Sequence, residues 1–172
     1  MTIVPDTKNW TWVLERECAE CGFDSSAIGL DDVPSLIRAN LTAWPAVLAR
    51  HGAANRPDAA TWSDLEYAAH VRDVFRIFRT RLGLMLAEDD PAFPNWDQDR
   101  TAVENRYHEQ DPQVVARELA EAGEDAARAF EAVPADSRQR TGRRGDGSSF
   151  TVESLACYFI HDPVHHLHDV RG

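Results

Sequence analysis

Ser63–Met85, SDLEYAAHVRDVFRIFRTRLGLM, decides the fold class. Ser63 and Glu66 form an S-x-x-E capping box, in which each side chain satisfies a backbone N–H that the first helical turn leaves unpaired. Behind it Val74, Ile77, Phe78, Leu84 and Met85 recur at helical spacing, and Pro91 sets the latest end this helix can reach.

Similar signals lie on either side. Upstream, Asp31, Asp32 and Pro34 mark a helix start, and Leu36, Ile37, Leu41, Trp44, Val47 and Leu48 carry one apolar face toward Gly52, with Pro45 as a bend. Downstream, Asp111-Pro112 opens a third helix whose buried side is Val115, Leu119, Ala122, Ala126, Phe130 and Val133, closed by Pro134. A fourth runs from about Thr151 toward His168. Its LACYFI segment has strand propensity, but no other segment alternates convincingly to pair with it, so helix wins by elimination. Residues 91–110 read as a long loop, with a linker or a short added helix equally allowed, and 134–149 as a second loop. The expectation is an all-α four-helix bundle with a long connection between helices two and three. It forms a single domain over residues 1–172, with residues 1–30 as an N-terminal arm or loop.

Composition narrows the partners. With 29 Asp and Glu against 18 Lys and Arg, the chain carries a net charge of −11, which repels phosphate backbones and anionic lipid, so neither nucleic acid nor a membrane is expected. No apolar run reaches the roughly 20 residues that span a bilayer, and Met1–Trp12 does not have the form of a signal peptide, so a cytoplasmic protein is expected, as a monomer or homodimer. Three cysteines are an odd number and too few for a secreted disulfide scaffold.

The chemistry concentrates in HDPVHHLHD, residues 161–169. At about 100° per residue, His161 and His165 share a helix face, His168 lies near it, and His166 points away. Imidazoles at i and i+4 reach one divalent ion, but two ligands hold it weakly, so a third must come from elsewhere. His70 is the best donor, because its stripe on the second helix is otherwise apolar. Alone, it would read as a buried imidazole hydrogen-bonded to a neighbour. Pro163 lies between the ligands and cannot donate to the Phe159 carbonyl, which predicts a kink or bulge and leaves His168 as a substitute ligand.

WSDLEYAAHVRDV at 62–74, the WDQD stretch at 96–99 and HDPVHHLHDV at 161–170 resemble the DinB superfamily, also called DinB/YfiT-like, and in particular its actinobacterial branch. The resemblance implies a four-helix bundle with a divalent metal held by His70, His161 and His165. Zinc is the first choice, with nickel, iron, manganese or cobalt as alternatives. Related members include thiol-dependent S-transferases and isomerases, so the resemblance also implies a low-molecular-weight thiol such as mycothiol as cosubstrate, attacking a small electrophile. Three histidines leave a tetrahedral ion with an open position, as catalysis requires. A metal-dependent hydrolase and a non-catalytic metal-binding or small-molecule-binding bundle are the competing readings.

Other residues carry weaker signals. Arg72 and Asp73 are candidates to support the ligands, as are Asp162 and Asp169. Trp44, Trp62, Phe93 and Trp96 are candidates to line a cavity, and Arg143 and Arg144 to bind a carboxylate of thiol or substrate. The C-x-x-C of Cys18 and Cys21 suits zinc or redox use only if two further ligands or a thioredoxin-like context exist, and otherwise reads as an ordinary loop pair. Cys157 reads chiefly as a buried small side chain, with a fourth ligand or reactive thiol as the alternative.

Overall fold

The computed structural model describes residues 9–171. Its frame is helical: α1 (Val33–Leu41), α2 (Trp44–Leu48), α3 (Asp64–Ala87), α4 (Gln98–Glu104), α5 (Pro112–Glu131) and α6 (Val152–Arg171). α3 packs on α5 and α6, while α1 packs on the same two helices from the other side, giving a four-helix bundle with α2 as a short continuation of α1. The aromatic centre of the core is Phe159 of α6, stacked on Phe78 of α3 at 5.0 Å and on Phe130 of α5 at 5.2 Å. α1 and α5 approach so closely that a Cβ at Gly123 would sit 2.5 Å from Leu41, which is why glycine occupies that turn.

The cap at the head of α3 forms as its spacing implied. Ser63 accepts from the Glu66 N–H, Glu66 accepts from the Ser63 N–H, and Arg56 ion-pairs with the buried Glu66 carboxylate. Burial opposes ionisation of Glu66, but Arg56 and Ser63 outweigh it and hold the carboxyl below its ordinary range. Asp111 caps α5 by accepting from the N–H groups of Gln113 and Val114.

Three expectations are corrected. The first helix does not bend at Pro45 but breaks: α1 ends at Leu41 and α2 restarts at Trp44, because a proline ring cannot follow the carbonyl four residues earlier and fits in a first turn. The two loops are partly structured. β1 (Ala92–Phe93), β2 (Thr141–Arg144) and β3 (Ser149–Thr151) form a small sheet, β1 parallel to β2 and β2 antiparallel to β3, with Gly142 opposite Phe150; the long connection also holds α4, the short added helix that its sequence allowed, and a 3-10 turn at Tyr107–Glu109. Strands this short show no alternation in sequence. Finally, α6 is α-helical at every residue from Val152 to Arg171, so Pro163 introduces no bulge. Its carbonyl accepts from Asn40 Nδ2, and Asn40 in turn accepts from Trp44 Nε1, which ties α6 to the α1–α2 junction.

The arm ahead of α1 is built from single 3-10 turns at Trp10–Leu14, Ser25–Ala27 and Leu30–Asp32. It lies against α6. Among the described residues no helix is long and apolar enough to cross a membrane.

Candidate metal centre

Because α6 keeps a regular phase, HDPVHHLHD presents two i,i+4 pairs one residue apart, His161 with His165 and Asp162 with His166, and each pair meets a different partner. His70, Asp162 and His166 bring one ligand atom each to within 4.8 Å of one another, and so do Cys18, Cys21, His161 and His165. His70, His161 and His165 do not converge as a group of their own.

The first cluster joins α3 to α6. His70 is fully buried, its Nε2 lies 3.2 Å from Asp162 Oδ1, and neither of its ring nitrogens completes a hydrogen bond. Asp162 Oδ1 is likewise buried without one. The His70 ring is held by indoles: Trp96 stacks parallel to it at 5.3 Å, and Trp62 packs at 5.3 Å from another side. His166 meets His70 edge-on at 4.8 Å and directs Nδ1 to Asp169 Oδ2 at 3.0 Å, which leaves Nε2 facing Asp162 Oδ1 at 3.7 Å. Burial opposes ionisation of Asp162, but the imidazoles of His70 and His166 outweigh it and draw the carboxyl down to about 2.

The second cluster joins the arm to α6. Cys18 is fully buried, His161 and His165 are almost so, and all three cysteines of the chain are free thiols. Burial, reinforced by His165, pushes His161 down to about 4, so its imidazole is neutral at neutral pH. Burial likewise pushes the Cys21 thiol up to about 11.

A cavity of about 600 Å³ opens beside both clusters, with His161, Asp162, His165 and His166 on its wall and Trp10, Phe78, Trp96 and Tyr158 as its aromatic surface. Arg81 and Arg144 also face it. Burial, with the Arg144 charge beside it, lowers Arg81 to about 10, so two guanidinium groups remain charged there at neutral pH. Arg144 donates to Tyr158 Oη and pairs with Asp146, whereas Arg81 donates to the Pro94 carbonyl.

The other residues singled out in the sequence divide between this site and the scaffold. Trp96 and Arg144 line the cavity. Arg143 instead pairs with Asp90 on the surface. Asp73 accepts from the buried Tyr107 hydroxyl and pairs with Arg72, which also reaches Glu118, so this network braces α3 against α5. Trp44 and Phe93 are core, Cys157 rests against the Ile28 carbonyl, and His168 is exposed. In the sequence His166 points off the ligand face, Arg81 carries no signal and Asp162 is ambiguous. The D-x-x-x-H spacing of Asp162 and His166 was the available signal, one residue out of register with the H-x-x-x-H pair.

No family model matches the chain, and neither does any curated protein. Among solved structures, YfiT from Bacillus subtilis, described as a probable metal-dependent hydrolase with an unusual four-helix bundle topology, superposes with a TM-score of 0.63 at 17% identity, covering 97% of this chain and 89% of that one. The likeness is one of fold: the chain has the YfiT-like four-helix bundle that its sequence resemblance led us to expect.

Proposed function

We propose that the protein is a divalent-metal-dependent enzyme that hydrolyses a small substrate bearing an anionic group, with His70, Asp162 and His166 as the metal-holding residues. The observation that carries this reading is the convergence of three ligand atoms in the bundle interior beside an open cavity, where His70 Nδ1 is buried without a hydrogen bond and His70 Nε2 and Asp162 Oδ1 face each other at 3.2 Å. Buried polar atoms without partners are rare and call for a missing group. Two imidazoles and one carboxylate suit zinc, iron, manganese, cobalt or nickel, and three protein ligands leave room for a reactant. An ion held there would supply a Lewis acid that makes a coordinated water or thiol nucleophilic near neutral pH.

The protein's own residues account for binding and orientation. Asp169 accepts from His166 Nδ1 and thereby fixes which nitrogen faces the site, while the two indoles fix the plane of His70. Arg81 and Arg144 offer the charge-assisted contacts that a carboxylate or phosphate on the substrate requires, and Phe78 and Trp10 cover its apolar part. The probable hydrolase activity ascribed to YfiT agrees with this reading.

Thiol transfer, with mycothiol as cosubstrate in the manner of the actinobacterial DinB branch, is the second reading. It is favoured by a cavity far larger than a water nucleophile needs and by the paired guanidinium groups on its wall. One experiment separates the two. Protein stripped by chelator and reloaded with zinc, manganese, iron(II), cobalt or nickel is assayed on small anionic esters, amides and electrophiles, with and without mycothiol. Hydrolysis that requires metal and falls by about 10³-fold or more in His70→Ala is the expected result. Turnover seen only with thiol replaces hydrolysis by transfer, and turnover indifferent to chelator overturns both.

A further inference from the structure

We propose that Cys18, Cys21, His161 and His165 form a second, closed metal site of Cys₂His₂ type, which takes zinc and clasps the N-terminal arm onto α6. Sulfur and imidazole ligands in equal number are the donor set of tetrahedral zinc. With Zn–S near 2.3 Å and Zn–N near 2.0–2.1 Å, a tetrahedron has an S-to-N edge of about 3.6 Å. Cys18 Sγ lies 3.7 Å from His165 Nδ1. One ligand atom from each of Cys18, Cys21, His161 and His165 lies within 4.8 Å of the other three. His161 Nε2 is buried and makes no hydrogen bond, although its residue is only 4% exposed. A buried imidazole with a nitrogen that makes no hydrogen bond, gathered with two thiols and a second imidazole, is a ligand in waiting.

The surroundings fit the same assignment. The Cys18–Cys21 turn closes with the Gly22 N–H donating to the Cys18 carbonyl at 2.8 Å and the Cys18 N–H donating to the Phe23 carbonyl at 2.8 Å. Gly22 sits at φ +73°, where other residues are strained, so the turn that gathers both sulfurs depends on glycine there. His165 Nε2 lies 3.4 Å from Glu20 and 3.7 Å from Asp169, so carboxylates stand near the imidazole whose Nδ1 lies beside Cys18, the surroundings that favour a metal-bound histidine. Trp10, Trp12 and Phe23 enclose His161 in aromatic surface. Binding releases two thiol protons, and two thiolates then neutralise the dication, so no net charge enters this apolar setting. Four protein ligands leave no position for a substrate, which makes the site structural and distinct from the three-ligand cluster beside it.

The test uses the full chain loaded with cobalt(II). We expect two ions per chain by elemental analysis and a sulfur-to-cobalt charge-transfer band that disappears in Cys18→Ser and Cys21→Ser but persists in His70→Ala. The His70 cluster contains no sulfur, so failure of this site and failure of the catalytic reading give different spectra. Because the serine variants test folding as well as ligation, wild-type protein is also alkylated with and without zinc. Protection of Cys18 and Cys21 by zinc, reversed by chelator, is the expected result. Absence of the band, equal alkylation in both states, or a mass loss showing a Cys18–Cys21 disulfide in the zinc-treated protein would each overturn the assignment.

Discussion

The two clusters on α6 are built from the same six-residue stretch, yet they differ in what they join and in what they leave open. Asp162 and His166 face His70 across the bundle interior, within helices whose packing is set by Phe78, Phe130 and Phe159. His161 and His165 face the arm, whose described residues form only short 3-10 segments and which meets α6 at Cys18 and Cys21. One site therefore sits in a frame that apolar packing already holds, while the other supplies the fastening its own partner segment lacks. The difference teaches where a metal's binding energy goes: into reactivity where the scaffold stands without it, and into folding where it does not.

The largest expected contrast is in stability. Removing metal from wild-type protein should cost about 4 kcal/mol if zinc is present at about 1,000 times its dissociation constant, which for a chain of this size is roughly 8–16 °C in Tm. Cys18→Ser should reproduce most of that loss, and His70→Ala only a small part. Calorimetry of the three samples checks this, and equal losses in both variants would erase the distinction between the sites.

Asp169 sharpens the comparison because it touches both sites, accepting from His166 Nδ1 and lying 3.7 Å from His165 Nε2. Asp169→Asn should weaken metal binding at each cluster by about 10–100-fold, the usual effect of removing a carboxylate behind an imidazole ligand. Paired metal titrations of the variant and of wild type measure it. Weakening at one cluster alone would mean that the carboxylate serves only that one.

A smaller effect is expected at the cavity wall. Arg81→Met should raise KM for an anionic substrate by about 10-fold or more, with a lesser change in kcat, since a charge-assisted contact is worth about 1.5–3 kcal/mol. An unchanged KM would remove Arg81 from substrate binding.

The smallest effect lies outside both clusters and sets the baseline. Ser63→Ala should cost about 1 kcal/mol through loss of the α3 cap, without altering metal content. The Glu66 carboxyl of the same cap is held below its ordinary value, so its stabilising contribution is full above the unfolded carboxylate pKa and is lost as pH falls through the lowered folded value. Urea unfolding of wild type and Glu66→Gln between neutral and acid pH reads this out: the gap between them should close on acidification.

Local chemistry in the sequence was enough to determine most of the helical frame: the capping box at Ser63 and Glu66, the Asp111-Pro112 start, and the apolar spacing that puts Phe78 and Phe130 inside, with the last helix following by elimination. It also determined that α6 would present ligands at i and i+4, because that spacing is a property of any helix. Which pair served which site was not decidable there. Asp162 with His166 and His161 with His165 differ by one residue, about 100° of phase, and phase acquires meaning only when the apolar face of α6 docks on α3 and α1. The short strands were illegible for a related reason, since their pairing partners lie on separate connections. The fourfold cluster lay furthest out of reach. Cys18 and His165 are 147 positions apart, and only the folded chain, by laying its arm along its last helix, brings a thiol to that imidazole.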